Sequence, residues 1–399
     1  SNNLPYHYSW PFRKIQVPVS IIPVHTLRKQ VSLSLLFCTL AHLSIYKHVP
    51  KLYNEKTCFI YNQSYRKENT NLIIKLIETV YAFLWGDLFT IPVMGSSIGI
   101  SLMLLLLIPA GIYFTIRTRI LPIRLFPDMI RALKEKKETP DSLSSLQTLI
   151  ISTATRVGMG NLVGVVAAVS LGGAGAVFWM WIIAIIGSAS ALIESTLAQI
   201  YKRKGKDGEC YGGPAYYIEA ALHCRPLAII FCISMIATYA FGFNMLASYN
   251  LQSTFSGFSF YDVKWTPWII GGILAVITGW CLLGGGSRIV KVTSTLVPAM
   301  GVAYILISVI VMIINRAYLP VVFSKIISEA FDFKAIFGAF AGSAMMQGIR
   351  RGLYSNEAGI GSAPNASASA QVSHPIKQGL VQMLSVFIDT LLLCTATAM

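Results

Sequence analysis

Seven residues, Thr155-Arg156-Val157-Gly158-Met159-Gly160-Asn161, put two glycines and an asparagine inside an apolar run of membrane length. Each glycine weakens a helix by about 1 kcal/mol relative to alanine, and lipid cannot hydrogen-bond the backbone groups so released. A neighbour, water or a ligand has to satisfy them. At the start of the outer half, the amides of Met159 and Gly160 would point positive charge at a carboxylate, with Gly158 leaving room beside them. At the end of the inner half, the carbonyls of Ala154 and Val157 suit a hard cation such as sodium, and the Asn161 side-chain oxygen could add a ligand. Close helix packing through small residues uses the same spacing, so these residues leave both readings open.

A second cluster runs from Gly348 to Pro364 and closes an apolar stretch containing Gly338, Gly342 and Ser343. The small residues predict another loosened turn, at Gly342 and Ser343. Arg350, Arg351, Asn356 and Glu357 read either as an inner gate or hinge, with Glu357 paired to one arginine, or as an ordinary loop with a surface ion pair. Two acids, Glu194 and Asp389, fall inside apolar runs, where a charge costs at least ~2.5 kcal/mol on insertion scales. Glu194, near the inner end, is expected to snorkel or to join a salt bridge. Asp389, beside Thr390, Thr395 and Thr397, is expected to hydrogen-bond a neighbouring span. The Asp207–Tyr217 loop reads as a Gly-Pro turn or as packing beneath the spans.

Membrane spans must hold these groups, and the composition provides them. The chain is 54% hydrophobic and 12% charged, against about 25% charged in soluble domains. Its net charge of +15 does not indicate nucleic acid, because Lys and Arg sit in short loops between apolar runs. Seven cysteines form no CxxC pair and no metal framework. Residues 1–75 are a basic N-terminal extension whose one apolar run, Val31–Ile45, is shorter than the ~20 residues a span needs. Residues 76–399 then alternate regularly. Ile77–Leu88 reads as an amphipathic lead-in. About eight spans are expected, at Gly99–Thr118, Leu146–Leu171, Ala174–Tyr201, Leu227–Phe255, Trp265–Leu283, Val292–Asn315, Phe333–Tyr354 and Gln378–Met399. Trp265, Trp268 and Tyr318 are their outer anchors. The basic loops all fall on one side, which predicts a multi-pass protein of the cell (inner or plasma) membrane. No HExxH motif occurs in the spans, so an enzyme is not expected.

TRVGMGNLVGV, LGGAGAVFWMW, DGECYGGPAYYIEAAL, RRGLYSNEAGIGSAP and HPIKQGLVQMLSVFIDTLLLCTATA occur in that order. Together they resemble the alanine/glycine:cation symporter family from about Ile77 to Met399. The resemblance implies an all-α integral membrane fold of the amino-acid/polyamine/organocation type. Such a fold has two inverted five-helix repeats, the first helix of each being discontinuous. It also implies a secondary transporter importing alanine or glycine, D-alanine included, by alternating access. Sodium would be the coupling ion, with no cofactor and no obligate protein partner. Gly158, Met159 and Gly160 would hold the substrate carboxylate, and Gly342 and Ser343 its ammonium. Ala154, Val157 and Asn161 would hold sodium. Where the family usually reads GNMVQxNS, this chain has Phe243-Asn-Met-Leu-Ala-Ser-Tyr-Asn250. Asn244 is kept, Ala247 takes the Gln position, and Gln252 replaces that Gln only after a five-residue shift. The chain stops after the second helix of the second repeat, so the transporter domain is expected to be truncated there. A proton-coupled carrier, a non-transporting sensor or channel, and an inactive fragment remain alternatives.

Overall fold

A computed structural model describes residues 78–79, 82–83, 86, 89–93, 96–134, 143–205, 210–331 and 344–399. Gly338, Gly342 and Ser343 lie outside this set, as do residues 207–209 of the Gly-Pro loop.

The described chain is almost wholly helical, with two short antiparallel hairpins. One pairs Phe89–Val93 (β1) with Ser96–Ile100 (β2), the other Arg203–Lys204 (β3) with Cys210–Tyr211 (β4). The first hairpin moves the expected start of the opening span. Gly99 pairs with Thr90 in the hairpin, and the Ser101 hydroxyl accepts the Leu104 amide at 3.4 Å. Helix α1 therefore runs Leu102–Arg117, 16 residues. That is about 24 Å at 1.5 Å per residue, less than the ~30 Å hydrocarbon core.

Two short helices follow, Leu121–Arg124 (α2) and Phe126–Leu133 (α3), with Leu121, Met129 and Ala132 buried. Ser145–Arg156 (α4) and Gly160–Gly172 (α5) form one bent pair. Next come Gly175–Ile200 (α6), Pro214–Leu222 (α7), Arg225–Gly257 (α8), Thr266–Leu283 (α9), Gly285–Ile314 (α10) and Leu319–Ala330 (α11). Ala344–Asn356 (α12), Ser362–Ser369 (α13) and Pro375–Ala398 (α14) complete the chain. Helices α6, α8, α9, α10 and α14 are long and apolar enough to cross a membrane, and α4–α5 makes six if counted as one bent span. The span expected at 333–354 is described only as α12.

Helix α6 is the hub, packing against α14, α12, α13, α1 and α11. It allows this because Gly175, Ala176, Ala184, Gly187, Ser188 and Ala191 let neighbouring backbones approach closely. Gly348 of α12 meets it so tightly that an added Cβ would press on the Ala176 carbonyl and lie 2.7 Å from Trp179 Cβ. Replacing Gly348 with alanine is expected to lower stability by ~1–3 kcal/mol, the range for overpacking. Gly279→Ala, with nothing within 4 Å of the new Cβ, is the control. Equal melting midpoints for the two variants in detergent would contradict this packing. Helices α9 and α10 instead expose Trp268, Val276, Leu306 and Ile310, as spans facing lipid do.

Candidate functional site

Helix α4 starts in a reciprocal cap, Ser144 and Gln147 each taking the other's amide at 3.0–3.1 Å. It stops at Arg156 because Val157 turns extended (φ −71°, ψ 100°). Helix α5 then departs at 57°. The Val157 amide still reaches the Thr153 carbonyl at 2.7 Å, but the Gly158 amide donates to Asn161 Oδ1 at 3.1 Å. Among the described residues, no amide donates to the carbonyls of Ala154, Thr155, Arg156 or Val157. The Met159 and Gly160 amides likewise find no acceptor there. The expected interruption of 146–171 is thus a real bend, with acceptors bare on one side and donors on the other.

The second half of the chain breaks between α12 and α13. Glu357, Gly359 and Gly361 take left-handed φ values of 49°, 85° and 91°, and Asn356 Oδ1 accepts the Ala358 amide at 3.0 Å. This break lies downstream of Gly342 and Ser343, in the run read above as a gate or hinge. It abuts the first break. A Cβ on Gly160 would lie 3.0 Å from Ser355 Cα and 3.3 Å from the Tyr354 ring, whereas one on Gly158 would meet nothing within 4 Å. The two readings left open by the sequence therefore fall on different glycines: close packing at Gly160, free space at Gly158.

Asp389 ties the breaks together. Its carboxylate accepts from Asn161 Nδ2 (2.7 Å), Ser355 Oγ (2.9 Å) and Thr390 Oγ1 (3.0 Å). Because a carboxylate can only accept, Asn161 must turn its nitrogen to Asp389 and its oxygen to the break. Thr397 Oγ1 donates to the Asn161 carbonyl at 2.7 Å, and Cys394 Sγ lies 3.2 Å from Ser355 Oγ. Arg156, buried in the first break, donates to the carbonyl and side-chain oxygen of Gln382 at 3.4 and 3.3 Å. Three π-helical turns, Gly160–Gly164, Ala237–Phe243 and Phe387–Cys394, supply Asn161, Tyr239 and Asp389. Such one-residue bulges re-aim side chains and recur at functional sites.

Two expectations are corrected, at Glu357 and Glu194. Glu357 is buried and accepts from Tyr239 OH (3.1 Å) and Ser362 Oγ (2.6 Å); it forms no ion pair with Arg350 or Arg351. Glu194 neither snorkels nor joins a salt bridge; it is buried and accepts the Gly359 amide at 3.3 Å. Asn244 caps the carbonyls of Tyr239 and Ala240 at 3.2 and 3.1 Å, loosened by the π turn. Gln252 accepts from Tyr261 OH at 2.6 Å. Both side chains are engaged within α8 and its following loop. The Gly-Pro loop packs under the second break, with Gly213 against Asn365. Ser355 and Ser362 fall inside the Gly348–Pro364 cluster read from the sequence, whereas Tyr239 and Gln382 were not singled out. Tyr239 joins Phe243 and Tyr354 in an aromatic row (centroids 5.0 and 6.4 Å apart) beside Gly160.

The two helix breaks thus face each other, joined through buried polar groups among helices of membrane length. The chain belongs to the sodium:alanine symporter family, whose model matches residues 89–399. It is 44% identical over 324 residues to the amino-acid carrier protein AlsT of Bacillus subtilis, covering 81% of this chain and 65% of that one. It is 44% identical over 300 residues to the "Probable sodium/glutamine symporter GlnT" of the same organism, covering 75% and 62%. Against the sodium/alanine symporter AgcS of Methanococcus maripaludis it is 37% identical over 333 residues, covering 82% and 70%. The chain spans about three fifths of the length of GlnT.

Proposed function

We propose that the full-length protein is a sodium-coupled symporter importing small neutral amino acids, alanine or glycine, across the cell membrane by alternating access. One observation carries this reading: the bend at Val157–Met159 leaves two amides unbonded at the head of α5, opposite the tail of α12. The positive end of α5 suits the substrate carboxylate, at Met159 and Gly160, and the negative end of α12 suits its ammonium. Gly342 and Ser343 remain proposed as further ammonium contacts. Sodium would be held by neutral oxygens, the carbonyls of Ala154 and Val157 and the Asn161 side chain, which fits a hard cation. The open space at Gly158 admits a small side chain, and Tyr354 with Phe243 limits its size. Asn244 and Gln252 remain proposed as substrate contacts from α8. Arg350, Arg351, Asn356 and Glu357 form the hinge of the second break.

Uptake of labelled alanine into proteoliposomes should stop when choline replaces sodium at fixed pH. Persistence would point to a proton-driven carrier, and failure of saturable counterflow to a channel or sensor. Asn161→Ala is expected to raise the sodium concentration for half-maximal uptake about tenfold, the loss of roughly one 1.4 kcal/mol ligand. An unaltered sodium curve removes Asn161 from the ion site.

A further inference from the structure

Around the two breaks the protein buries one cation, Arg156, and three carboxylates, Glu194, Glu357 and Asp389. Arg350 and Arg351 of α12 lie half-buried beside the second break, so the cost of burying each carboxylate is set by the donors that solvate it.

The carboxylates differ in how they are solvated. Asp389 has three side-chain donors and Glu357 two hydroxyls. Glu194 has only the backbone amide of Gly359, at 3.3 Å. It also lines a cavity of about 20 Å³ together with Ser190, Tyr217, Gly359, Leu107 and Phe114. That volume is enough for one water, and Ser190 and Tyr217 offer it hydroxyl partners. The titratable groups facing Glu194 are Arg156 of α4, Glu357 of the break and Tyr217 of α7. Helix α1 lines the cavity with apolar residues, and α13 has no titratable residue. Asp389 of α14 faces Glu357, Arg351 of α12 faces Tyr354, Lys377 of α14 bonds Ser373, and Lys325 of α11 pairs with Glu329 at 3.7 Å.

We propose that Glu194 is a proton-binding site, loaded through the water-sized cavity beside it, and that this proton serves the carrier as a second coupling cation. Protonation removes a buried charge that a backbone amide alone solvates, and deprotonation strengthens the grip of Glu194 on the Gly359 amide. The state of this one carboxyl thereby reaches the backbone of the second break. The coupling role rests on the transport reading above; proton binding at Glu194 does not.

The test is pH-difference infrared spectroscopy on purified full-length carrier in lipid, reading the carbonyl band of a protonated carboxyl. The band is expected in the wild type, lost in Glu194→Gln and retained in Glu357→Gln. Glu194→Asp should keep a band at a shifted position, which separates loss of the acid from loss of the fold. A band that survives Glu194→Gln unchanged, or none in the wild type at any pH, overturns the proposal. In proteoliposomes the pH profile of sodium-driven uptake should flatten in Glu194→Gln, and a wild-type profile in that variant overturns the coupling role. A wild type that shows the band but no sodium-driven uptake would sink the transport reading and uphold the proton site.

Discussion

Replacing Gly160 with valine is expected to abolish alanine binding, lowering affinity at least ~100-fold, while Gly158→Ala tells whether space or packing is responsible. At Gly160 the first new carbon already lies 3.0 Å from Ser355 Cα. Two further methyls must push α5 away from α12 or fill the gap between them. Overpacking of this kind costs ~1–3 kcal/mol, and 1.4 kcal/mol is a factor of ten in affinity. Separating the breaks also displaces the Met159 and Gly160 amides from the tail of α12, so the carboxylate and ammonium contacts fail together. At Gly158 an added Cβ meets no protein atom within 4 Å. Gly158→Ala should therefore leave stability unchanged or raise it by ~0.4–1 kcal/mol through the unfolded chain, yet still weaken alanine binding. Calorimetric titration and thermal melts on the two purified variants read both quantities. Wild-type affinity in Gly160→Val would show that the substrate binds elsewhere.

Asp389→Ala is expected to have the larger effect on stability. It strips the acceptor from Asn161, Ser355 and Thr390 at once, in a site without exposure to water. Each stranded donor costs ~1–3 kcal/mol. The terms are coupled and do not simply add, but a loss of several kcal/mol follows. Asp389→Asn is the sharper variant because it keeps the shape and offers a single acceptor oxygen. The Asn161 amide then loses the carboxylate that orients it, so half-saturation by sodium should shift upward even where the protein remains folded. A purely structural Asp389 would lower the melting midpoint and leave the sodium curve in place. Melting and sodium titration of the same preparation distinguish these outcomes.

The first break was legible because glycines and an asparagine inside an apolar run conflict with everything a spanning helix needs. Gly338, Gly342 and Ser343 lie outside the described residues; the described second break uses Ser355, Asn356 and Glu357, whose polarity reads as surface loop. Those residues are buried because α6, α8 and α14 close over them, and that enclosure is tertiary. The same closure explains Glu194, whose helix carries it into the core instead of to the interface. The π turns leave no trace in apolar periodicity, since one extra residue barely shifts a 3.6-residue pattern. Tyr239 was therefore invisible, whereas Asp389, expected to hydrogen-bond a neighbouring span, accepts from Asn161 and Ser355. The β1–β2 hairpin was missed because its Ile and Val residues extend the apolar run of α1, and only Ser101 marks the true helix start.

The most direct measurement is an experimental structure of the full-length carrier with alanine and sodium bound. Density for one amino acid is expected between the two breaks, its carboxylate within hydrogen-bonding reach of the Met159 and Gly160 amides and its ammonium at the tail of α12. Alanine bound away from Gly158, or a continuous helix through Val157–Met159, would contradict it.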